Sequence, residues 1–125
     1  MENLRIKPTK NTPQVDFYTN GNMAITGSVY SENAREYFKP LLDWVTDLNT
    51  PEINFDMKIE YINTACAKKL FELLQDLDKN AHLQTLNIRW FYPKGDEDAL
   101  ETGQILSESL VRMKFKFVEF DPDAE

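Results

Sequence analysis

A hydroxyl residue stands where a predicted strand passes directly into a predicted helix. Residues 55–62 alternate apolar and polar side chains, which is typical of a strand with one buried face. From Thr64 onward the apolar residues recur at helical spacing, and Asn63-Thr64 forms the junction. The unpaired N–H groups and the dipole of a helix N-terminus favour an anion there. These residue types and their spacing fit a threonine that accepts a phosphate at an exposed corner.

The same two residues also fit an ordinary helix cap. Threonine and asparagine are common N-cap residues, each worth about 1 kcal/mol through capping alone. No glutamate or glutamine lies three residues after Asn63 or Thr64, so neither completes a capping box. From the residues alone, a plain cap is the commoner explanation, and both interpretations stay open at this point.

Other arrangements that support chemistry are weak in this sequence. The four glycines are scattered and form no phosphate-binding loop, and no pair of histidines or cysteines has metal-ligand spacing. A lone His82 in a predicted loop does not suggest a catalytic triad. Cys66 is in line with a leucine stripe and is expected to be buried, while residues 96–98 suit a helix start better than a Mg²⁺ site. The sequence therefore predicts no enzyme, no metal and no cofactor.

Composition and charge exclude several classes of partner. The 125 residues are 42% hydrophobic and 28% charged, and the net charge is −7 from 21 acidic and 14 basic residues. The basic residues are scattered along the chain, so we expect neither nucleic acid nor an anionic membrane as the main partner. No apolar run approaches the ~20 residues of a membrane span, and the N-terminus lacks the apolar core of a signal peptide. With one cysteine, these features predict a cytoplasmic protein.

The order of predicted elements indicates an α/β fold. Strands at 4–7, 14–18, 22–26, 53–62 and 85–92 and one around 115–120 combine with helices at 34–48, 64–80 and 96–110. The order β-β-β-α-β-α-β-α-β implies a mixed sheet with helices packed mainly on one face. Asn20-Gly21 signals a hairpin, and Pro40 is expected to kink the first helix.

One domain should span residues 1–125, with its core in 6–120 and an acidic tail at 121–125. Strand alternation places Tyr61 on the buried face with Phe55, Met57 and Ile59. The predicted core contains Ile25, Leu41, Trp44, Ile59, Leu70, Leu74, Ile88, Trp90 and Phe117.

Several short segments, in this order and spacing, point to a family. They are residues 9–13, 27–34, 38–44, 61–64 and 90–92, followed by 96–98. Over residues 6–120 the chain resembles the SiaC-type regulatory phosphoproteins, which are similar in architecture to the STAS-fold anti-sigma-factor antagonists. The resemblance implies a single STAS-like domain. Residues 30–33 read Tyr-Ser-Glu-Asn, where the family usually has Tyr-Pro-Glu-Asn, which affects the local turn.

The resemblance also implies a function. It suggests a non-enzymatic bacterial signalling protein that switches partners when Thr64 is phosphorylated. A serine/threonine kinase of the SiaB type would add the phosphate and a PPM-type phosphatase would remove it. The unphosphorylated form would bind and activate a diguanylate cyclase in biofilm signalling. The partner-binding residues implied are Asn63, Thr64, Lys68, Tyr30, Glu32 and Asn33.

Two other hypotheses compete with the switch. One is a plain interaction module, similar to an anti-sigma antagonist, in which Thr64 acts only as a helix cap. The other is a small-molecule domain using the region of Tyr30 and Trp90, although the sequence shows no convergent polar groups there. With the resemblance added, the phosphorylation switch is favoured over both.

Overall fold

The order of strands and helices in the structure is the one the sequence predicts. The structure, a computed structural model, describes residues 1–108, 110, 113–121 and 123. Of the predicted acidic tail, Pro122, Ala124 and Glu125 lie outside the described residues. The elements are β1 (Leu4–Ile6), β2 (Gln14–Phe17), β3 (Asn22–Val29), α1 (Ala34–Asp47), β4 (Glu52–Ile62), α2 (Thr64–Asp78), β5 (Thr85–Pro93), α3 (Glu97–Glu108) and β6 (Met113–Phe120).

The six strands form one mixed sheet in the order β1-β2-β3-β4-β5-β6. β1, β2 and β3 pair antiparallel, whereas β3, β4, β5 and β6 pair parallel, each parallel connection passing through one helix. The helices bury their apolar sides against one face of the sheet. The other face carries polar residues such as Asp16, Asp56 and Arg89. The predicted mixed sheet with helices on one face is confirmed.

The buried residues join strands and helices in one apolar cluster. Of the nine predicted core residues, Trp44 and Phe117 are only half-buried, and the other seven are buried. Trp44 lies near the chain start, where its indole Nε1–H donates to the carbonyl oxygen of Glu2 at 2.8 Å. Phe117 lies on β6, at the edge of the sheet, where among the described residues only β5 pairs with it. Both still pack against the cluster.

The predicted position of Tyr61 on the buried face is wrong. The pairing of β3 with β4 shifts between Gly27 and Ser28, so that Gly27 faces Ile59 while Ser28 faces Tyr61. This bulge adds one residue to β4 and reverses the alternation beyond it. Tyr61 is therefore 56% exposed, and Ile62 packs against the core instead.

The remaining elements follow their sequence signals closely. α1 runs from Ala34 to Asp47 with Pro40 inside it, and the kink expected at Pro40 stays a prediction. The β2–β3 turn contains Gly21 with φ of +95°, a conformation that favours glycine. In the part of the chain that the structure describes, no helix is long and apolar enough to cross a lipid bilayer.

Tyr37 gives the fold a pH dependence at the alkaline end. Its hydroxyl is buried without a hydrogen-bond partner among the described residues. Burial, and secondly the nearby Cys66, raise the pKa of Tyr37 to about 12. The unfolded chain releases this proton near pH 10. The contribution of Tyr37 to the free energy of unfolding is therefore fully present below about pH 10, and it is lost as the pH rises toward 12.

Replacing the hydroxyl tests this dependence. We expect Tyr37→Phe to keep or raise stability at pH 8 by up to about 1 kcal/mol, since it removes an unpaired buried hydroxyl. The variant should also lose less stability than the parent between pH 10 and 11.5. Urea unfolding at a series of pH values measures both effects. Parallel alkaline losses in the two proteins would exclude Tyr37 as the cause.

Candidate functional site

Asn63 caps the helix that follows the central strand. Its side-chain Oδ1 accepts a hydrogen bond from the N–H of Cys66 at 2.8 Å. Its own N–H donates to the carbonyl oxygen of Val29 at 3.2 Å, and its Nδ2 donates to that of Ser31 at 3.3 Å. Asn63 therefore both caps α2 and ties it to the segment after β3, which fixes the position of the next residue.

Thr64 is the first residue of α2, and its side chain is exposed. The hypothesis that Thr64 serves only as the helix cap is wrong, because the adjacent Asn63 provides the capping oxygen. Among the residues that the structure describes, the Thr64 hydroxyl has no hydrogen-bond partner. A modifying enzyme can therefore reach this hydroxyl without unfolding the helix. Lys68, one turn later on the same helix, is also exposed.

A second helix begins beside the first. Asn33 caps α1 by accepting the N–H of Glu36 at 3.3 Å, and its own N–H donates to Ser31 Oγ at 3.2 Å. The N–H of Ser31 in turn donates to Cys66 Sγ, in α2, at 3.4 Å. The starts of α1 and α2 are thus joined through Ser31, and the adjacent Glu32 is exposed. Through Ser31, this arrangement brings the segment holding predicted residues Glu32 and Asn33 close to predicted residues Asn63 and Thr64.

Two exposed aromatic rings flank this corner. Tyr30 and Tyr61 lie with ring centroids 5.6 Å apart and are 40% and 56% exposed. Tyr30 is among the predicted partner-binding residues, whereas Tyr61 is not, because strand alternation places it on the buried face. Only the bulge in β4, which has no signature in the sequence, brings the two rings together.

A groove between α2 and α3 opens next to Thr64. Its volume is about 530 Å³, and apolar side chains form most of its wall. Ile105 on α3 is 58% exposed in this groove. The groove is not evident from the sequence, although Phe71 and Ile105 widen the apolar stripes of the two helices. The lining residues are Ile62, Asn63, Thr64, Ala67, Lys68, Phe71, Thr102, Ile105 and Leu106.

The other residues considered for chemistry have structural positions. Asp96 Oδ1 accepts the N–H of Ala99 at 3.0 Å, which confirms that the acidic triplet begins a helix. Cys66 is buried and His82 is exposed, as predicted. Trp90 is buried, and its indole N–H donates to the carbonyl oxygen of Ala99 at 2.9 Å. Among the described residues, no group of three or more acidic, histidine or cysteine side chains has metal-binding geometry.

The assignment of the cap predicts unequal effects for neighbouring substitutions. Asn63→Ala removes the capping oxygen and the tether to Ser31, so we expect a loss of about 1–2 kcal/mol in the free energy of unfolding. Thr64→Ala removes an exposed hydroxyl and should change stability by less than about 0.5 kcal/mol. Urea denaturation of both variants measures the difference. A larger loss for Thr64→Ala would mean that Thr64 is the capping residue after all.

Comparison of the sequence with known proteins gives a consistent result. The family model described as SiaC family regulatory phosphoprotein matches residues 6–120. An uncharacterised protein of Pseudomonas aeruginosa strain UCBPP-PA14 is 30% identical over 115 residues. The match covers 86% of this chain and 90% of the relative.

Solved structures show the same fold. One match is a chain in the crystal structure of the diguanylate cyclase SiaD in complex with its activator SiaC, from Pseudomonas aeruginosa. The two chains superpose with a TM-score of 0.81 at 23% sequence identity, and the match covers 94% of this chain and 99% of that one. A structure of SiaC from the same species superposes with a TM-score of 0.79 at 23% identity, over 96% and 100% of the two chains. These structures show a shared fold, and the family match over residues 6–120 shows that the chain belongs to the SiaC family of regulatory phosphoproteins.

Proposed function

We propose that the regulatory phosphate is carried by Thr64 and that the unmodified protein binds and activates a diguanylate cyclase. The observation that carries the proposal is the position of the Thr64 hydroxyl, which is exposed at the start of α2 and on the rim of the α2–α3 groove. Family membership and the SiaD–SiaC complex of a relative support the choice of partner.

The groove supplies a physical reason for a switch. Its walls are mainly apolar and open to solvent, which suits the apolar side chains of a docking protein. A phosphate on Thr64 adds about −1.5 to −2 charges at the rim. Docking would then bury this charge beside Phe71 and Ile105, at a cost that the neutral threonine does not impose.

The proposed cycle needs two further enzymes. A serine/threonine kinase of the SiaB type adds the phosphate, and a PPM-type phosphatase removes it. The protein itself acts in the cytoplasm without catalysis and passes the signal to cyclic-di-GMP synthesis and biofilm formation. The exposed hydroxyl of Thr64 supports this cycle, because both enzymes reach it on the folded protein.

The candidate partner-binding residues take different parts in this proposal. Tyr30 and Lys68 are exposed and contact the partner directly, with Tyr61 extending the aromatic surface of Tyr30. Asn63 and Asn33 are helix caps, so they act by positioning Thr64 and the 30–33 segment.

Intact-mass analysis of the protein purified from its own cells tests the proposed site. We expect a species heavier by one phosphoryl group, with fragmentation placing the group on Thr64. Thr102 is a built-in control, because it lines the same groove from α3 while its hydroxyl donates to the carbonyl oxygen of Asp98 at 2.9 Å. A phosphate on Thr102, or on another residue with Thr64 unmodified, would contradict the proposal.

Lys68 should respond to the phosphate. It lies four residues after Thr64, the favourable order for an anion–cation pair on a helix. In the phosphorylated protein we expect Lys68→Gln to raise the second pKa of the phosphate, which is near 6, by about 0.2–0.4. Phosphorus NMR over pH 4–8 measures this pKa.

Lys69→Gln is the matched control for that titration. Lys69 already pairs with Glu72 at 3.1 Å, so its removal should change the phosphate pKa less than removal of Lys68. Equal shifts in the two variants would mean that Lys68 does not contact the phosphate.

A further inference from the structure

The last strand of the sheet forms one of its two edges. β6 lies at the end of the strand order, and among the described residues it pairs with β5 alone. It is eight residues long, whereas β1, at the opposite edge, has three. A long edge strand presents a row of backbone N–H and C=O groups that can pair with another extended chain.

The side chains of β6 differ sharply between its two faces. Lys114 and Lys116 lie on the face of the sheet without helices, and both are exposed. Phe115 and Phe117 lie on the helix face, where they pack against the core but are only half-buried. The centroids of these two rings are 5.1 Å apart. Over residues 114–117 the edge therefore combines a cationic face with an incompletely covered aromatic face.

Pairing of the strands brings together basic residues that are scattered in the sequence. Lys116 on β6 pairs with Arg89 on β5 in the strand register. Lys58 lies on β4, the next strand of the sheet. Arg89 pairs with Asp56. Among the described residues, Lys58, Lys114 and Lys116 have no carboxylate within ion-pair distance. On a protein with a net charge of −7, this is a local positive surface.

We propose that β6 is extended by a strand of a partner protein in which acidic and apolar residues alternate. Its carboxylates would face Lys114 and Lys116, and its apolar side chains would cover Phe115 and Phe117. Residues two apart on any strand are separated by about 7 Å on the same face, so acidic residues at i and i+2 match the spacing of the two lysines. Backbone hydrogen bonds along the edge supply the affinity, and the two faces select the sequence.

Other occupants fit less well. Single-stranded nucleic acid binds by stacking bases on open aromatic rings. On this face Lys58 lies 4.4 Å from the ring centroid of Phe120, and Arg89 lies 5.2 Å from that of Phe91, so cations already cover these rings. A second copy of the chain would bring its own β6 lysines, rather than carboxylates, to the edge. The surface is also separate from the α2–α3 groove, whose described lining includes no residue of β6.

Two synthetic peptides probe the edge. One is an acetylated, amidated octapeptide of alternating glutamate and valine, and the other replaces each glutamate by lysine. We expect the acidic peptide to bind with a dissociation constant below about 1 mM and to bind more weakly as salt is raised. Hydrogen exchange followed by NMR should show slower exchange at alternate amides of residues 114–120. The lysine peptide should not produce this protection.

Charge reversal identifies the residues responsible. Lys114→Glu with Lys116→Glu should weaken binding of the acidic peptide by about tenfold or more, since like charges then face each other. Lys7→Glu with Lys10→Glu makes the same charge change near β1, at the opposite edge, and should change binding by less than about twofold.

Several results would overturn the proposal. They are the absence of peptide binding at about 1 mM, equal effects of the two double variants, and exchange protection outside β6. Sedimentation could instead show a dimer that is lost in the Lys114→Glu/Lys116→Glu variant. In that case a second copy of the chain would be the occupant. Tighter binding of an oligothymidylate than of the acidic peptide would make nucleic acid the ligand.

Discussion

Phosphorylation of Thr64 should weaken binding to the diguanylate cyclase by about 30-fold or more while leaving the protein folded. Leaving an unpaired charge buried costs about 3–5 kcal/mol. The favourable interaction of the phosphate with the dipole at the start of α2 offsets only about 0.3–1 kcal/mol of that cost. Calorimetric titration of the cyclase with unmodified and fully phosphorylated protein measures the difference.

Variants at the same position separate charge from shape. Thr64→Ala should keep full affinity and become insensitive to the kinase, because it removes the acceptor hydroxyl without adding charge. Thr64→Asp should bind less tightly than the parent, though a carboxylate carries less charge than a phosphate. Thr102→Ala, in the same groove, should remain sensitive to the kinase.

Thermal melts decide how the phosphate acts. Equal affinities of the two forms would end the switch hypothesis. A large fall in melting temperature on phosphorylation would show that the modification acts by unfolding the protein rather than by blocking the groove.

Gly21→Ala should cause the largest loss of stability of any substitution proposed for this chain. Gly21 has φ of +95°, a conformation that disfavours residues with a Cβ. A Cβ at this position would also overlap the backbone carbonyl oxygen of Glu52. The N–H of Asn54 donates to the carbonyl oxygen of Gly21 at 2.9 Å, so the turn cannot move without disturbing β4. We expect a loss of about 3–4 kcal/mol in the free energy of unfolding, measured in urea.

Gly95→Ala separates the two causes of that loss. Gly95 also has a positive φ, +85°, but a Cβ there would meet no atom within 4 Å. Its substitution should therefore cost only about 1–2 kcal/mol of backbone strain. Equal losses at the two glycines would show that the overlap with Glu52 is relieved at little cost.

The sequence predicts the sheet and helices well because burial sets their periodicity. Alternating residues in β4 and the leucine stripe of α2 are each buried on one side, as their spacing requires. Cys66 is in line with Leu70 and Leu73 and is buried with them. Periodicity alone also places Thr64 on the exposed side of its helix.

Prediction fails where the structure depends on how distant elements meet. The bulge that turns Tyr61 outward depends on the register between β3 and β4, which neither strand shows by itself. The α2–α3 groove depends on the spacing of two helices that are separated by β5. The capping role of Asn63 rather than Thr64 depends on backbone geometry at the junction. Likewise, Lys58, Arg89 and Lys116 become neighbours only when the strands pair.

A competition experiment tests the central claim most directly. Equal amounts of unmodified and Thr64-phosphorylated protein, which differ by the mass of one phosphoryl group, are mixed with a limiting amount of the diguanylate cyclase. Native mass spectrometry then identifies which form is in the complex. We predict complexes that contain almost only the unmodified protein. Complexes holding the two forms in equal proportion would contradict control of partner binding by Thr64.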